Sequence, residues 1–171
     1  MMFFELPASR LITRVTLFAA VAAAGTLFAS TAEGPKLPVG FQHWYLANSM
    51  LVTKEPNQFG LVTGNHLIYV NTVGLDRLKS GGPTPYRDGT VFVDDIRNFS
   101  LVDGAYQQGA RKAVPVMVKH SKKYASTGGW GFQAWAGGDP SKPIVNDATK
   151  QCFNCHMGQK SNDYVFSTYL K

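Results

Sequence analysis

The sequence predicts a mainly β fold of the α+β class: an antiparallel β-sheet with a few short helices. Three observations carry that expectation. β-favouring runs are short and separated by Gly, Pro and Asp turn signals, no long segment repeats its apolar residues at the helical period, and there is no internal repeat or low-complexity tract. The glycines and prolines of residues 81–85 and 128–143 also leave no room for a bundle of four long helices.

Residues 1–32 read as a secretory signal peptide. Arg10 and Arg14 form its positive region, residues 15–29 its apolar stretch, and Ala29-Ser-Thr-Ala32 its small-residue cleavage site. The apolar stretch is short for a membrane span, and an uncleaved anchor is the alternative. The mature domain, 33–171, begins near Glu33 and keeps 139 of the 171 residues, enough for one domain with a core. No membrane association is expected after signal removal.

Within that domain Gly34-Pro-Lys-Leu-Pro38 is an extended leader, because its prolines disfavour helix. Residues 41–53 are rich in aromatic and aliphatic side chains and read as either a strand or a short helix. His66-Leu-Ile-Tyr-Val70 is a strand, after which Asn71 caps a helical turn through Val73, Leu75 and Leu78 that stops at Ser80-Gly81-Gly82-Pro83. Asp88-Gly89 turns into the strand ending at Val93, and Asp103-Gly104 with Gly109 mark a loop. Val114-Pro-Val-Met-Val118 is a further strand whose proline points to a sheet edge or a strand start. One helical turn over residues 121–125 precedes the strand Trp130-Gly-Phe132-Gln-Ala-Trp135, in which Trp130, Phe132 and Ala134 share a face. Gly137-Gly-Asp-Pro140 closes that strand.

The chemistry lies near the end, in Cys152-Phe153-Asn154-Cys155-His156. This is the C-x-x-C-H signature of covalent c-type haem attachment. Two intervening residues separate the thiols to match the two vinyl groups on one porphyrin edge, and His156 follows as proximal iron ligand. A short disulfide, a thiol redox pair or half a zinc site are the other readings of the bare C-x-x-C. Zinc needs two further ligands, and no second paired motif exists. Covalent haem on an exported chain fits the bacterial periplasm, and the pair leaves no cysteine for a structural disulfide elsewhere.

Only 15 residues follow His156, and among them the sole possible axial ligand, Met157, is adjacent to it. An electron-transfer cytochrome c usually takes a sixth ligand from well downstream, so that ligand is missing. Upstream candidates are His43, His66, His120, Met50 and Met117, but nothing in their spacing ties any of them to the haem, and a surface histidine or core methionine is the favoured reading of each. An iron with an open distal side is the leading expectation, and it binds or converts small molecules.

Without its signal the chain loses two of 17 basic residues, Arg10 and Arg14, and one of 11 acidic residues, Glu5, so the net charge goes from +6 to +5. The cluster Lys119-His-Ser-Lys122-Lys123 lacks the aromatic interleaving of a nucleic-acid platform. No nucleic-acid partner is expected; a modestly basic surface suits solubility or docking to an acidic redox partner.

Five segments in order, Asp88-Gly-Thr-Val-Phe-Val93, Val116-Met-Val-Lys-His-Ser-Lys-Lys-Tyr124, Gly129-Trp-Gly-Phe132, the haem motif, and Asp163-Tyr-Val-Phe166, resemble the cytochrome P-460 family, which includes the cytochromes c′-beta. The resemblance covers residues from about Trp44 to Leu170. It implies an antiparallel β fold, a homodimer, one covalent haem c with a histidine proximal ligand, and an open distal site. P-460 enzymes oxidise hydroxylamine and carry a lysine cross-linked to the haem, whereas c′-beta members lack the cross-link and bind nitric oxide and carbon monoxide. The matching position here is Asp94, and neither it nor Asp95 offers an amine. By the same register a distal arginine of the enzymes falls near His66, which becomes either a distal hydrogen-bond and proton-shuttle group or a strand-end histidine facing solvent. Trp130, Phe132 and Trp135 either wall the haem pocket or are plain core. The expected function is therefore nitric oxide binding or conversion, with hydroxylamine oxidation and simple electron transfer as rivals.

Overall fold

In the computed structural model, residues 1–2, 34–54 and 63–169 are described. The expected signal over residues 1–32 lies outside them apart from its first two positions. The sheet lies wholly in the unit Ala32–Lys171. It has five antiparallel strands in the order β1-β2-β3-β4-β5: β1 Tyr45–Val52, β2 Gly64–Val70, β3 Val91–Val102, β4 Ala105–Lys119 and β5 Trp130–Ala136. Each strand neighbours the next in sequence, so the sheet is a simple meander. No helix among the described residues is long and apolar enough to cross a membrane.

The ambiguous stretch at 41–53 contains both structures: a 3₁₀ turn over Phe41–His43, then β1. α1, Thr72–Ser80, joins β2 to β3. Asn71 caps it through Oδ1, which accepts from Gly74 N–H at 3.2 Å and also from Val91 N–H at 3.1 Å, tying the helix start to β3.

Two sequence expectations need correction. Residues 105–109 are not loop. Asp103 and Gly104, with φ of 51° and 79°, are the two central residues of a tight hairpin between Val102 and Ala105, and β4 starts directly after. Gly109 sits inside β4 at an irregularity, where a Cβ would meet the Asn98 carbonyl at 3.3 Å. Nor does Pro115 mark an edge or a strand start, because β4 runs between β3 and β5. On one side Pro115 pairs with Ala134. On the other the ladder pairs Val93 with Val116 and Ile96 with Ala113 and assigns nothing between, as expected opposite a residue without an N–H.

Strand alternation divides the core between two sheet faces. Phe41, Val93, Val114, Val116 and Trp135 pack on one. Val70, Phe92, Met117, Trp130 and Phe132 pack on the other, where the C-terminal segment adds Phe153 and Val165. The outer edge of β5 is covered, since Ile144 N–H donates to Ala134 O and Ala136 N–H to Lys142 O.

Candidate functional site

Between the second face and the C-terminal segment lies a cavity of 610 Å³, in the size range of small-molecule and cofactor sites. Period-two alternation brings Phe92, Asp94 and Ile96 of β3 to it, with His66 and Ile68 of β2 and Phe132 of β5. The opposite wall is Cys152, Cys155, His156, Val165 and Phe166. Both cysteines and the histidine of the sequence motif therefore open onto one largely apolar space.

The motif is helical throughout: a π-helical turn over Thr149–Phe153, α2 over Asn154–His156, then a 3₁₀ turn over Met157–Asn162. Its start is fixed by Asp147, whose Oδ1 accepts from Lys150 N–H at 3.0 Å, and by Gln151 Oε1, which accepts from the N–H groups of Asn146 and Asp147 at 2.8 Å. Burial, then the neighbouring Cys155, pushes the Cys152 thiol up to about 11. A thiol raised in this way is a poor thiolate nucleophile, which disfavours a thiol redox role. Among the described residues no three His, Cys, Asp or Glu side chains cluster as a metal site.

His156 is half-buried, and burial lowers its pKa, so the neutral imidazole is favoured. Its Nδ1–H donates to the Tyr164 carbonyl at 2.7 Å, leaving the lone pair on Nε2. The Phe132 and Phe166 rings flank the imidazole, each centroid 5.0 Å away. The acceptor comes from a turn in which Asp163 and Tyr164 both take positive φ, 50° and 66°. Asp163 is held by Lys119 Nζ at 2.7 and 2.8 Å and by Tyr86 N–H at 2.8 Å, and its carbonyl accepts from Trp130 Nε1–H at 2.8 Å. Sequence reasoning missed this support. Asp163 and Lys119 were legible only as members of family segments, Lys119 also as part of a basic cluster.

On the sheet wall His66 is 5% exposed, so it does not face solvent. Its Nδ1–H donates to Asp94 Oδ2 at 2.7 Å. The two sit diagonally on neighbouring strands, with His66 opposite Ile96 and Asp94 opposite Ile68. Burial raises the Asp94 carboxyl above the usual range, partly offset by the His66 bond. Its Oδ1 atom is out of contact with solvent and, among the described residues, has no hydrogen-bond partner. A bare buried oxygen costs about 1–3 kcal/mol, the kind of expense functional sites carry. β2 and β5 are three strand spacings apart, so His66 lies about 14 Å across the sheet from the strand that touches His156.

Of the other upstream candidates, Met50 and Met117 line the cavity; His43 and His120 are exposed and do not. Phe132 is a wall. Trp130 is not among the lining residues: it is fully buried in the core, 5.8 Å from Tyr86 and 6.2 Å from Phe92 between ring centroids. Trp135 packs on the opposite sheet face.

These residues fit a haem: two thiols and an imidazole with a free Nε2 on one wall, an apolar interior, and a polar pair facing it. The sequence profile described as cytochrome P-460 matches residues 38–167. No curated protein matches the chain.

Proposed function

The chain belongs to the cytochrome P-460 family, whose members bind haem, and from that premise we propose an exported, periplasmic c-type cytochrome that binds or converts nitric oxide. Cys152 and Cys155 would hold one covalent haem through their thiols, and His156 Nε2 would bind its iron. One observation carries the reading: the two cysteines and a histidine with Nδ1–H already engaged by Tyr164 line the same cavity as the His66–Asp94 pair. Bound haem supplies an iron with affinity for small diatomic and nitrogenous ligands.

The chain's own residues do the rest. The Tyr164 carbonyl keeps the His156 proton on Nδ1, and Phe132 and Phe166 flank the ring on two sides. Across the cavity Asp94 orients His66, whose imidazole lines the space a ligand would enter. Ile68, Phe92 and Ile96 keep the space apolar, favouring a small uncharged ligand over a hydrated anion. At position 94 a carboxylate stands where the family's cross-link needs an amine, which argues against the hydroxylamine-oxidising type. The apolar side chains exposed at the β3–β4 hairpin tip, Leu101, Val102 and Tyr106, support a homodimer.

The test is the purified haem-loaded protein. Haem that stays with the chain under denaturing mass spectrometry, and ferrous protein that binds carbon monoxide and nitric oxide, are the expected results. Failure to bind either gas would overturn the reading in favour of an electron carrier with Met50 or Met117 as sixth ligand. Hydroxylamine turnover with an artificial acceptor, or a third covalent link in the mass and spectrum, would overturn it in favour of the enzyme.

A further inference from the structure

Resting on the assignment of His156 as axial ligand, we infer that Lys119, Asp163 and Trp130 form a positioning lock behind it that sets the reduction potential of the haem. None of the three lines the cavity, so none acts by touching haem or ligand. All three are buried, with 5%, 8% and 0% exposure.

What they fix is one carbonyl. Asp163 and Tyr164 are consecutive non-glycine residues at positive φ, a conformation that persists only where its surroundings over-determine it. Here they do. The Asp163 carboxylate accepts three hydrogen bonds, two from Lys119 Nζ and one from Tyr86 N–H, its carbonyl accepts from Trp130 Nε1–H, and its own N–H donates to Lys160 O at 3.1 Å. Lys119 is itself held by Gly128 O at 3.1 Å and lies 4.9 Å from the centre of the Trp130 ring. Tyr164 N–H donates to Gln159 O at 2.8 Å, and the remaining group of the turn, the Tyr164 carbonyl, faces His156 Nδ1 at 2.7 Å.

A buried ion pair is weak as a stabiliser, because desolvation roughly cancels its attraction. Orientation is the role the geometry supports. A well-aimed carbonyl on Nδ1–H raises the basicity of the imidazole and favours the ferric state. A slackened turn weakens that bond and favours the ferrous state.

The test compares holoprotein carrying Lys119→Met or Trp130→Phe with wild type. Lys119→Met is expected to lower the ferrous iron–histidine stretching frequency in resonance Raman spectra. It should also shift the ferric–ferrous equilibrium about tenfold toward ferrous, about 59 mV for a one-electron couple. Trp130→Phe keeps an aromatic ring and the ion pair, removes the indole N–H donor with its five-membered ring, and should shift both readouts in the same direction by less. If Lys119→Met does not fold, Trp130→Phe decides alone. Variants that unfold more easily yet keep wild-type potential and stretch would overturn the lock, reducing it to a structural support. A wild-type protein lacking an iron–histidine stretch would overturn the axial assignment itself, and the lock with it.

Discussion

Gly128→Ala tests the turn beneath His156 from a different side. Gly128 has φ of +65°, where an added Cβ costs about 1–2 kcal/mol in backbone strain. That Cβ would also sit 2.3, 2.7 and 2.8 Å from three atoms of the Tyr164 ring. The ring has little freedom to retreat, since its centroid is 5.2 Å from that of Phe153, which is itself buried. Overpacking of this kind adds about 1–3 kcal/mol, so the expected total is about 2–5 kcal/mol. Gly137→Ala is the control: its φ is +61° and nothing lies within 4 Å of its Cβ position, so it should show the strain alone. Chemical denaturation of both holoproteins under one set of conditions measures the difference. Equal costs for the two variants would refute the claim that Gly128 is glycine because Tyr164 occupies its Cβ space.

Three further outcomes follow from the same geometry. His66→Ala removes a hydrogen-bonding group from the cavity and should raise the ligand off-rate roughly fivefold, the equivalent of about 1 kcal/mol; unchanged stopped-flow rates would place His66 out of ligand contact. Because burial holds the Asp94 carboxyl above its unfolded value, its contribution to stability is present below about pH 3.9 and is lost as pH rises through the folded value. The Asp94→Asn protein should therefore gain stability relative to wild type as pH rises above about 3.9, and a pH-independent difference in unfolding midpoint would refute this. Gly74→Ala should destabilise, although alanine is the better helix former by about 1 kcal/mol. Its Cβ would lie 2.5 Å from Thr90 and 2.8 Å from Val70, both fully buried, and overpacking of about 1–3 kcal/mol wins; a raised melting temperature would show that the core yields.

The strands that were legible are those with a buried face. His66 to Val70, Val114 to Val118 and Trp130 to Trp135 each carry apolar residues the sheet needs. The outer arms of β3 and β4 were not, because from Asn98 to Ala110 they are largely exposed and have no core-facing pattern to betray them. Hydrogen bonding across the hairpin sustains them instead. The signal that could have found them is Asp103-Gly104 itself, a two-residue turn flanked by Phe99 and Leu101 on one side and Tyr106 on the other. Pro115 misled for a related reason. The edge rule assumes that a missing N–H is not tolerated between two neighbouring strands, and here β4 keeps its register with β3 across the gap, with Val93–Val116 and Ile96–Ala113 paired on either side.

The haem motif could be read because its chemistry is local: five consecutive residues on helical turns bring two thiols and an imidazole to one surface whatever the rest of the chain does. Nothing comparable protects the other functional contacts. Lys119 and Asp163 are 44 positions apart, and His66 and Asp94 are 28 apart. The second pair exists only because β2 and β3 align His66 with Ile96, and a slip of one residue would turn His66 or Asp94 to the opposite face. That dependence changes how position 94 is to be understood. Read along the sequence, Asp94 is a place where an amine is absent. In the folded chain it is a half-buried carboxylate that orients His66 with one oxygen and, among the described residues, leaves the other without a partner. Substituting lysine there would supply the amine and at the same time remove the partner of His66, so any gain in cross-linking must be measured against a disordered imidazole on the same wall.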